Sequence, residues 1–319
     1  MRFLPLACIP LLCTSMLCID ASTTLADHQV LLQGNDRLAI INPDGSTKWE
    51  MKWGGIHDIH LLANGNILTR EGRTAVVEID PAKKQVVWKY DSAKENGNQG
   101  KKIEVHAFER LPNGHTMIAE SGSARIIEVT ATGELVREIP LTVNHPNPHS
   151  DTRLVRRLAS GNYLVAHEAD GMVREYDGES GRVVWDYEVP MFGKEAAKGH
   201  GPEAFGNRLF CALRLENGNT LIGGGNGHCV LEVTPEKEIV WQLHQNDLPG
   251  ITLAWVTTLE VLPNGNYVIG NCHAGPGQPL LVEVSPKTKE VVWTFDRYDD
   301  FGNAVSNSLL MDVAGQTLR

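Results

Sequence analysis

The chain alternates short apolar runs with polar turns, and one arrangement of the two recurs five times. Each copy has a leucine three residues before a turn glycine, then a second apolar run, and usually a later strand that contains tryptophan. The turn glycines are Gly65, Gly114, Gly161, Gly218 and Gly265. Self-similarity at a spacing of roughly fifty residues indicates one supersecondary unit that is used repeatedly.

Within each copy the pattern predicts four antiparallel strands. In the first copy these are residues 57–63, 67–70, 75–80 and 85–90. Asn64-Gly65 reads as a hairpin turn because both residues tolerate a positive φ. The third strand alternates Val77 and Ile79 with Glu78, as a strand with one buried face does. The helical period is missing almost everywhere, and only residues 193–198 are expected to hold a turn or two of helix.

Strands left over at the two ends of the pattern predict how the repeat closes. Residues 30–33, 37–42 and 47–52 read as the last three strands of a unit, and residues 304–313 read as a first strand. Three strands plus one make a sixth blade shared by the N-terminal and C-terminal segments, which removes free sheet edges. We therefore predict an all-β fold, a six-bladed β-propeller with four-stranded antiparallel blades.

The last copy carries the residues of a family resemblance. It reads L-P-N-G-N-Y-V-I at 262–269, V-E-V at 282–284 and V-V-W-T-F at 291–295. This pattern resembles the PQQ-like propeller superfamily, including arylsulfotransferase-like propellers, over nearly all of the chain after the leader. The second copy departs from it, because residues 136–139 replace the tryptophan strand. The resemblance implies the fold and does not select a function; no motif favours binding of PQQ, and no cofactor is predicted.

Composition and charge indicate where the protein is located and which kinds of partner it binds. Residues 1–26 read as a signal peptide, with a membrane anchor as the alternative, so residues 27–319 are expected to form a single exported domain, periplasmic or extracellular. The formal charge is −10 and no basic cluster stands out, which argues against nucleic acid. Cys211, Cys229 and Cys272 follow the leader, enough for one disulfide and a free thiol. We expect a monomer without a later membrane span.

Blade topology predicts which face holds a site. The connections between blades, and those from second to third strands, share one face, which we call the loop face. The long connections 91–104, 141–150, 188–208 and 243–255 lie there, and most histidines lie on or near them. The opposite face carries the Asn-Gly hairpins; we call it the turn face and do not expect function there.

Strand register predicts a polar ring at the loop-face mouth of the central channel. Five equivalent positions, each eight residues before a turn glycine, are His57, His106, Arg153, Phe210 and Thr257. The ends of second strands and nearby loops add the candidate ligand-binding residues Glu71, Glu120, His149, His167, Trp255 and His273. Imidazole suits proton transfer, and guanidinium suits an anion such as sulfate or carboxylate. Trp255 could serve as a platform for a sugar ring.

Several interpretations of this ring stay open. The groups could be structural, holding water and backbone in a polar channel. They could bind a polar ligand, carbohydrate-related or anionic, which is the function we predict. They could form an enzyme site, arylsulfotransferase-like or a glycan lyase or hydrolase; the resemblance implies a nucleophilic channel histidine, which by position alone would be His57 or His106. A protein-interaction scaffold is a further alternative.

A divalent metal is also possible, although no ligand set is predicted. His57 and His60 are three residues apart on a strand and therefore point to opposite faces. His145 and His149 could approach one another in a proline-rich loop, but their spacing does not match a common metal motif.

Overall fold

The structure is a computed structural model that describes Met1 and residues 28–319. The predicted signal peptide, apart from Met1, lies outside the described residues. The described chain forms six four-stranded antiparallel sheets, which confirms the predicted six-bladed propeller. No helix in this part of the chain has the length and apolar character needed to cross a membrane.

The strands follow in chain order, blade by blade. The N-terminal segment contributes β1 (Val30–Gly34), β2 (Arg37–Ile41) and β3 (Thr47–Lys52) to the closing blade. The first three complete blades are β4 (Ile59–Leu61), β5 (Ile67–Glu71), β6 (Ala75–Asp80) and β7 (Gln85–Asp91); β8 (Glu104–Arg110), β9 (Thr116–Ser121), β10 (Arg125–Val129) and β11 (Leu135–Pro140); and β12 (Val155–Arg157), β13 (Tyr163–His167), β14 (Met172–Tyr176) and β15 (Val183–Glu188). The last two complete blades are β16 (Cys211–Arg214), β17 (Thr220–Gly223), β18 (Val230–Val233) and β19 (Ile239–Leu243); and β20 (Trp255–Val261), β21 (Tyr267–Cys272), β22 (Leu281–Val284) and β23 (Val291–Phe295).

The closing blade is built as predicted, from three N-terminal strands and one C-terminal strand. Its strand order is β24-β1-β2-β3, where β24 (Ser308–Leu310) is the C-terminal strand. Val30 pairs with Leu310, and Leu32 pairs with Ser308. The two ends of the described chain therefore meet in one sheet, and the ring has no open blade edge there.

The prediction of a short helix at residues 193–198 is wrong, and the helix lies elsewhere. Residues 193–198 hold no helix, because Ala197 pairs its backbone with Phe205 in a β-bridge. The one helix among the described residues is α1 (Tyr298–Phe301), between β23 and β24. It buries Phe301 against Val30, Phe295 and other apolar residues of the closing seam. Burial of one large side chain, which the local pattern does not reveal, explains this short helix.

In four blades the tryptophan of the fourth strand connects the blade to the next one. Each indole Nε1 donates to a backbone carbonyl in the turn before the next blade's fourth strand. The four bonds are Trp49 to Pro81 at 2.8 Å, Trp88 to Ala131 at 2.8 Å, Trp185 to Pro235 at 2.9 Å and Trp241 to Pro286 at 2.8 Å. In the blade that lacks tryptophan, Arg137 donates to the Gly178 carbonyl instead. The departure of residues 136–139 from the repeat therefore keeps the same contact.

A glutamate in each of several third strands makes a second connection between blades. Glu78 accepts from Asn66 in its own hairpin at 2.7 Å and from Arg110 of the next blade at 3.1 Å. Glu175 does the same with Asn162 and Arg214, both at 2.7 Å. These bonds explain why the repeat keeps both the turn asparagine and the V-x-E-V glutamate.

The channel is filled by a charged network near its turn-face end. Arg156 donates two hydrogen bonds to Asp58, at 2.8 and 2.9 Å, and both side chains are buried. Arg319 donates to the backbone oxygens of Ile59 at 2.6 Å and Ser308 at 3.0 Å, and its own backbone oxygen accepts from Arg156. Because these partners belong to three different blades, Arg319 reaches across the channel.

A cavity of about 700 Å³ opens on the turn face beside this network. It is lined by side chains from the hairpins and by the last residues of the chain, including Arg157, Arg214, Glu216 and Leu318. The turn face is therefore not as featureless as the short hairpins suggest.

The three cysteines of the described chain are unpaired and buried. Burial raises the pKa of the Cys211, Cys229 and Cys272 thiols to about 12. The disulfide considered from the sequence is not formed among these three cysteines. A thiol with so high a pKa forms little thiolate, so none of the three is expected to be reactive.

We expect Asp58→Asn to destabilise the fold by about 3–5 kcal/mol, because it leaves the buried Arg156 guanidinium without its counter-charge. Burial opposes ionisation of Asp58, but Arg156 and His60 hold the pKa of Asp58 well below its usual range. Its contribution is thus present above about pH 4 and is lost as the pH falls further. Urea unfolding followed by tryptophan fluorescence measures both effects.

The matched control is Asp186→Asn, which breaks an exposed pair with Lys237 and should change stability little. Equal stability of the two variants at pH 7 would contradict a structural role for the channel ion pair.

Candidate functional site

Two irregular first strands present side chains at the loop-face mouth. In β8 the pairing with β9 shifts between Val105 and Ala107, so His106 has no partner in the ladder. In β20 a similar shift occurs between Val256 and Leu259. A bulge of this kind bends the strand and re-aims the extra residue. As a result, the His106 side chain faces the imidazole of His57 and does not alternate regularly with its neighbours along the strand.

The predicted ring residues largely meet. The rings of His57 and His106 are 4.7 Å apart between centroids in an edge-to-face arrangement. His149 lies 5.8 Å from His106, and Phe210 lies 5.9 Å from His57. The guanidinium of Arg153 sits 5.4 Å from the Phe210 ring centre. We call these five residues, together with Glu104, the mouth cluster.

Glu104 is a member that the sequence analysis missed. Its Oε2 lies 3.1 Å from His106 Nε2 and 3.0 Å from His149 Nδ1, and its Oε1 accepts from Arg73 at 2.7 Å. The bulge at His106 brings its side chain against that of Glu104, although the two do not follow a regular strand alternation. Glu104 was not predicted because it lies off the register position that His57, His106 and Arg153 share.

Burial sets the charge state of the cluster. Burial lowers the pKa of the His106 imidazole to about 3. The hydrogen bond with Glu104 opposes this shift, and the positive charge of Arg153 adds to it. Burial, and then the neighbouring His106 and Arg153, hold the pKa of His57 well below its usual range. Both imidazoles are therefore neutral at pH 7. Hydrogen bonds with His106 and His149 lower the pKa of Glu104 although burial opposes this, so it is a carboxylate.

Several enclosed nitrogens in the mouth have no partner among the described residues. They are Arg153 Nη1, Arg70 Nε and His57 Nδ1. Arg153 is buried and paired through Nε with Glu168. Arg70 donates its other nitrogens to the carbonyls of Val105 and Gly55. A buried donor without an acceptor costs about 1–3 kcal/mol, so these groups favour a ligand rich in acceptors.

A second group adjoins the mouth cluster through Phe210. Trp255 packs with Phe210 and Cys272, and the His200 ring stacks on it at 5.6 Å. His273 lies 5.5 Å from His200. Trp255 and His273 were predicted as candidate ligand-binding residues; His200, in a long connection of the loop face, was not. Since His200 lies against the indole, that face of Trp255 is already occupied.

Three predicted ligand-binding residues have structural partners instead. Glu71 pairs with Lys89 at the blade edge. Glu120 is buried and accepts from Arg125 at 2.6 Å. His167 donates from Nδ1 to the Asp151 carbonyl at 2.8 Å and accepts at Nε2 from the Tyr176 hydroxyl at 2.9 Å. The contacts of these three residues are with the blades and not with the mouth cluster.

The other predicted arrangements are also resolved. His60 lies 3.3 Å from Asp58 and lines the turn-face cavity, so it does not join His57 at the mouth; His57 precedes β4 in the structure. His145 pairs with Asp170 at 3.0 Å, and His149 pairs with Glu104, so the two loop histidines do not form a pair. Thr257, the fifth ring position, packs on the backbone of Gly270 within its own blade.

Comparison with known proteins gives a family and a fold. A sequence profile described as outer membrane protein assembly factor BamB, of the PQQ-like type, matches residues 34–295. No curated protein sequence matches the chain. A protein of unknown function from Bacteroides caccae shares 23% identity at a TM-score of 0.71, over 89% of this chain and 98% of that one.

Two lyases share the fold at lower similarity. A streptogramin B lyase shows 12% identity and a TM-score of 0.54, over 82% of this chain and 76% of that one. A catalytically inactive virginiamycin B lyase from Staphylococcus aureus with quinupristin shows 14% identity and a TM-score of 0.52, over 86% of both chains. At these identities the likeness establishes the propeller architecture alone.

The buried histidine His167 predicts an acid-sensitive fold. Burial lowers its pKa to about 4, from an ordinary 6.5. As the pH falls, His167 takes up a proton in the unfolded chain before it does so in the folded chain. Its protonation therefore lowers the free energy of unfolding by about 3 kcal/mol between pH 6.5 and pH 4. His167→Gln should be less stable at pH 7 but should show a shallower loss on acidification. Urea unfolding at half-unit pH steps measures the slope.

His115→Gln, at a turn-face hairpin, serves as the control and should retain the wild-type slope. An unchanged slope in His167→Gln would show that His167 is not held neutral in the folded state.

Proposed function

The chain belongs to the PQQ-like propeller family described as outer membrane protein assembly factor BamB, and on that premise we propose that it binds an anionic, polar small molecule at the loop-face mouth. A sugar acid or a sulfated sugar represents the class. This is the ligand-binding function predicted from the sequence, with the site reduced to the mouth cluster and its arginines.

One observation carries the proposal: the enclosed Arg153 Nη1 has no acceptor among the described residues. Its Nε is held by Glu168, so the guanidinium is fixed in orientation while one N–H edge remains available. Guanidinium groups match carboxylate and sulfate geometry through paired hydrogen bonds. An anion here would satisfy a donor that is otherwise buried at a cost.

The neighbours of Arg153 favour a ligand rich in oxygen atoms. Arg70 Nε and His57 Nδ1 are further enclosed polar atoms without partners in the described chain. Phe210 is buried beneath the Arg153 guanidinium and supports it from one side. A sugar ring with an acidic substituent supplies both an anion and hydroxyl groups for these atoms.

The charged network across the channel supports entry from the loop face. Arg156 bonds to Asp58 and to the backbone oxygen of Arg319, between the mouth and the turn-face cavity. A ligand would therefore reach the cluster from the loop face, past the exposed side chain of His149. We also propose export, which the charged start and apolar run of residues 1–26 support.

A second candidate is an enzyme at the same mouth. A lyase or hydrolase needs a base near a group that binds the developing anion. His57 and Arg153 supply this pair of groups, and both lie beside Phe210. If catalysis occurs, His57→Ala should abolish turnover while the ligand still binds.

The test is equilibrium binding by calorimetry with glucuronate, sulfated monosaccharides and aryl sulfates, after thermal-shift screening. We expect at least one compound to raise the melting temperature of the wild type. Arg153→Gln should then bind it about 10- to 100-fold more weakly, the loss expected for charge-assisted hydrogen bonds.

Arg125→Gln is the matched control, because it also breaks a buried arginine–glutamate pair but lies away from the mouth cluster. It should bind the compound as the wild type does. Anion binding at the mouth is refuted if no compound changes the melting temperature, or if Arg153→Gln binds as tightly as Arg125→Gln.

A further inference from the structure

The hydrogen-bond pattern of His106 leaves a place for a cation. His106 Nδ1 lies 2.8 Å from the Thr152 carbonyl, which can only accept, so Nδ1 carries the hydrogen. His106 Nε2 faces Glu104 Oε2 at 3.1 Å, and both side chains are buried. A divalent cation between them would accept a lone pair from each atom.

His149 completes a set of three converging ligand atoms. One atom each from Glu104, His106 and His149 lie within 4.8 Å of one another. Glu104 Oε2 is 3.0 Å from His149 Nδ1 and 3.1 Å from His106 Nε2. Around tetrahedral zinc, with bonds of about 2.0–2.1 Å, neighbouring ligand atoms lie about 3.3 Å apart. Small side-chain movements would therefore close the site around an ion.

The surroundings of these side chains match those of known metal ligands. A metal-binding histidine usually donates its other ring N–H to a backbone carbonyl or carboxylate, which fixes the tautomer. The bond from His106 Nδ1 to Thr152 does this. The second oxygen of Glu104 is held by Arg73, so the carboxylate is oriented before any ion binds.

We propose that Glu104, His106 and His149 form a binding site for a divalent transition metal, zinc by preference. Two imidazoles and one carboxylate suit zinc better than calcium or magnesium, which prefer oxygen ligands. Three protein ligands leave a coordination position open, as in catalytic zinc sites. This inference does not depend on the proposed anionic ligand, since the three residues are defined without it.

His149 offers the cleanest substitution, because its side chain is 59% exposed while Glu104 and His106 are buried. The full chain, stripped with a chelator and dialysed, is titrated with zinc chloride in a calorimeter, and bound metal is counted by elemental analysis. We expect one zinc per chain in the wild type. Zinc should bind to His149→Gln and to Glu104→Gln at least 100-fold more weakly, more than the 10- to 100-fold caused by loss of an outer partner.

His145→Gln is the matched control, since His145 is an exposed histidine of the same loop that pairs with Asp170. It should bind zinc as the wild type does, and circular dichroism should show all metal-free variants folded. Cobalt in place of zinc reports the geometry through its visible absorption. The proposal is overturned if the stripped wild type takes up no zinc, or if His149→Gln and His145→Gln bind it equally. Neither result depends on the sugar-acid assay, so the two proposals fail separately.

Discussion

In four of the six blades the fourth-strand tryptophan donates a hydrogen bond to the next blade, and the ring depends on this contact. A blade buries its faces only against neighbours, so its position must be fixed relative to them. The indole of Trp49, Trp88, Trp185 or Trp241 spans that boundary and donates to a turn carbonyl. Where tryptophan is absent, Arg137 reaches the equivalent carbonyl. The interaction is thus kept even where the residue changes.

Fixed blades allow the first strands to be irregular. The inner ends of these strands converge at the loop face, and a bulge in β8 turns His106 out of the ladder. The mouth cluster is therefore assembled from several blades, with His57, His106 and Arg153 each coming from a different one. Its chemistry arises from burial, which keeps the imidazoles neutral and leaves guanidinium donors without acceptors. A rigid frame holds these costly groups in place.

The repeat made most of the fold predictable from sequence, because turn glycines and alternating strands are local signals. Register also brought His57, His106, Arg153 and Phe210 together correctly. Register between blades could not show that Glu120 pairs with Arg125, which stands opposite it in the β9–β10 ladder, or that His167 bonds to the Tyr176 hydroxyl, because both contacts are made within a blade. Glu104 and His200 were missed because one lies off the compared register position and the other lies in a long loop. Helix α1 was not predicted because its four residues are too few to show a helical period, and its buried Phe301 packs against residues distant in sequence.

The shared blade also has a consequence for how the molecule folds. Strand β1 remains an exposed edge until β24 arrives, and Val30 must wait for Leu310, almost the whole length of the described chain later. Contacts of such high sequence separation form late and slowly. During synthesis the five internal blades can assemble in order, while the edge of β1 stays available for pairing with another chain. The step that closes the ring is therefore the one at which aggregation competes most directly with folding.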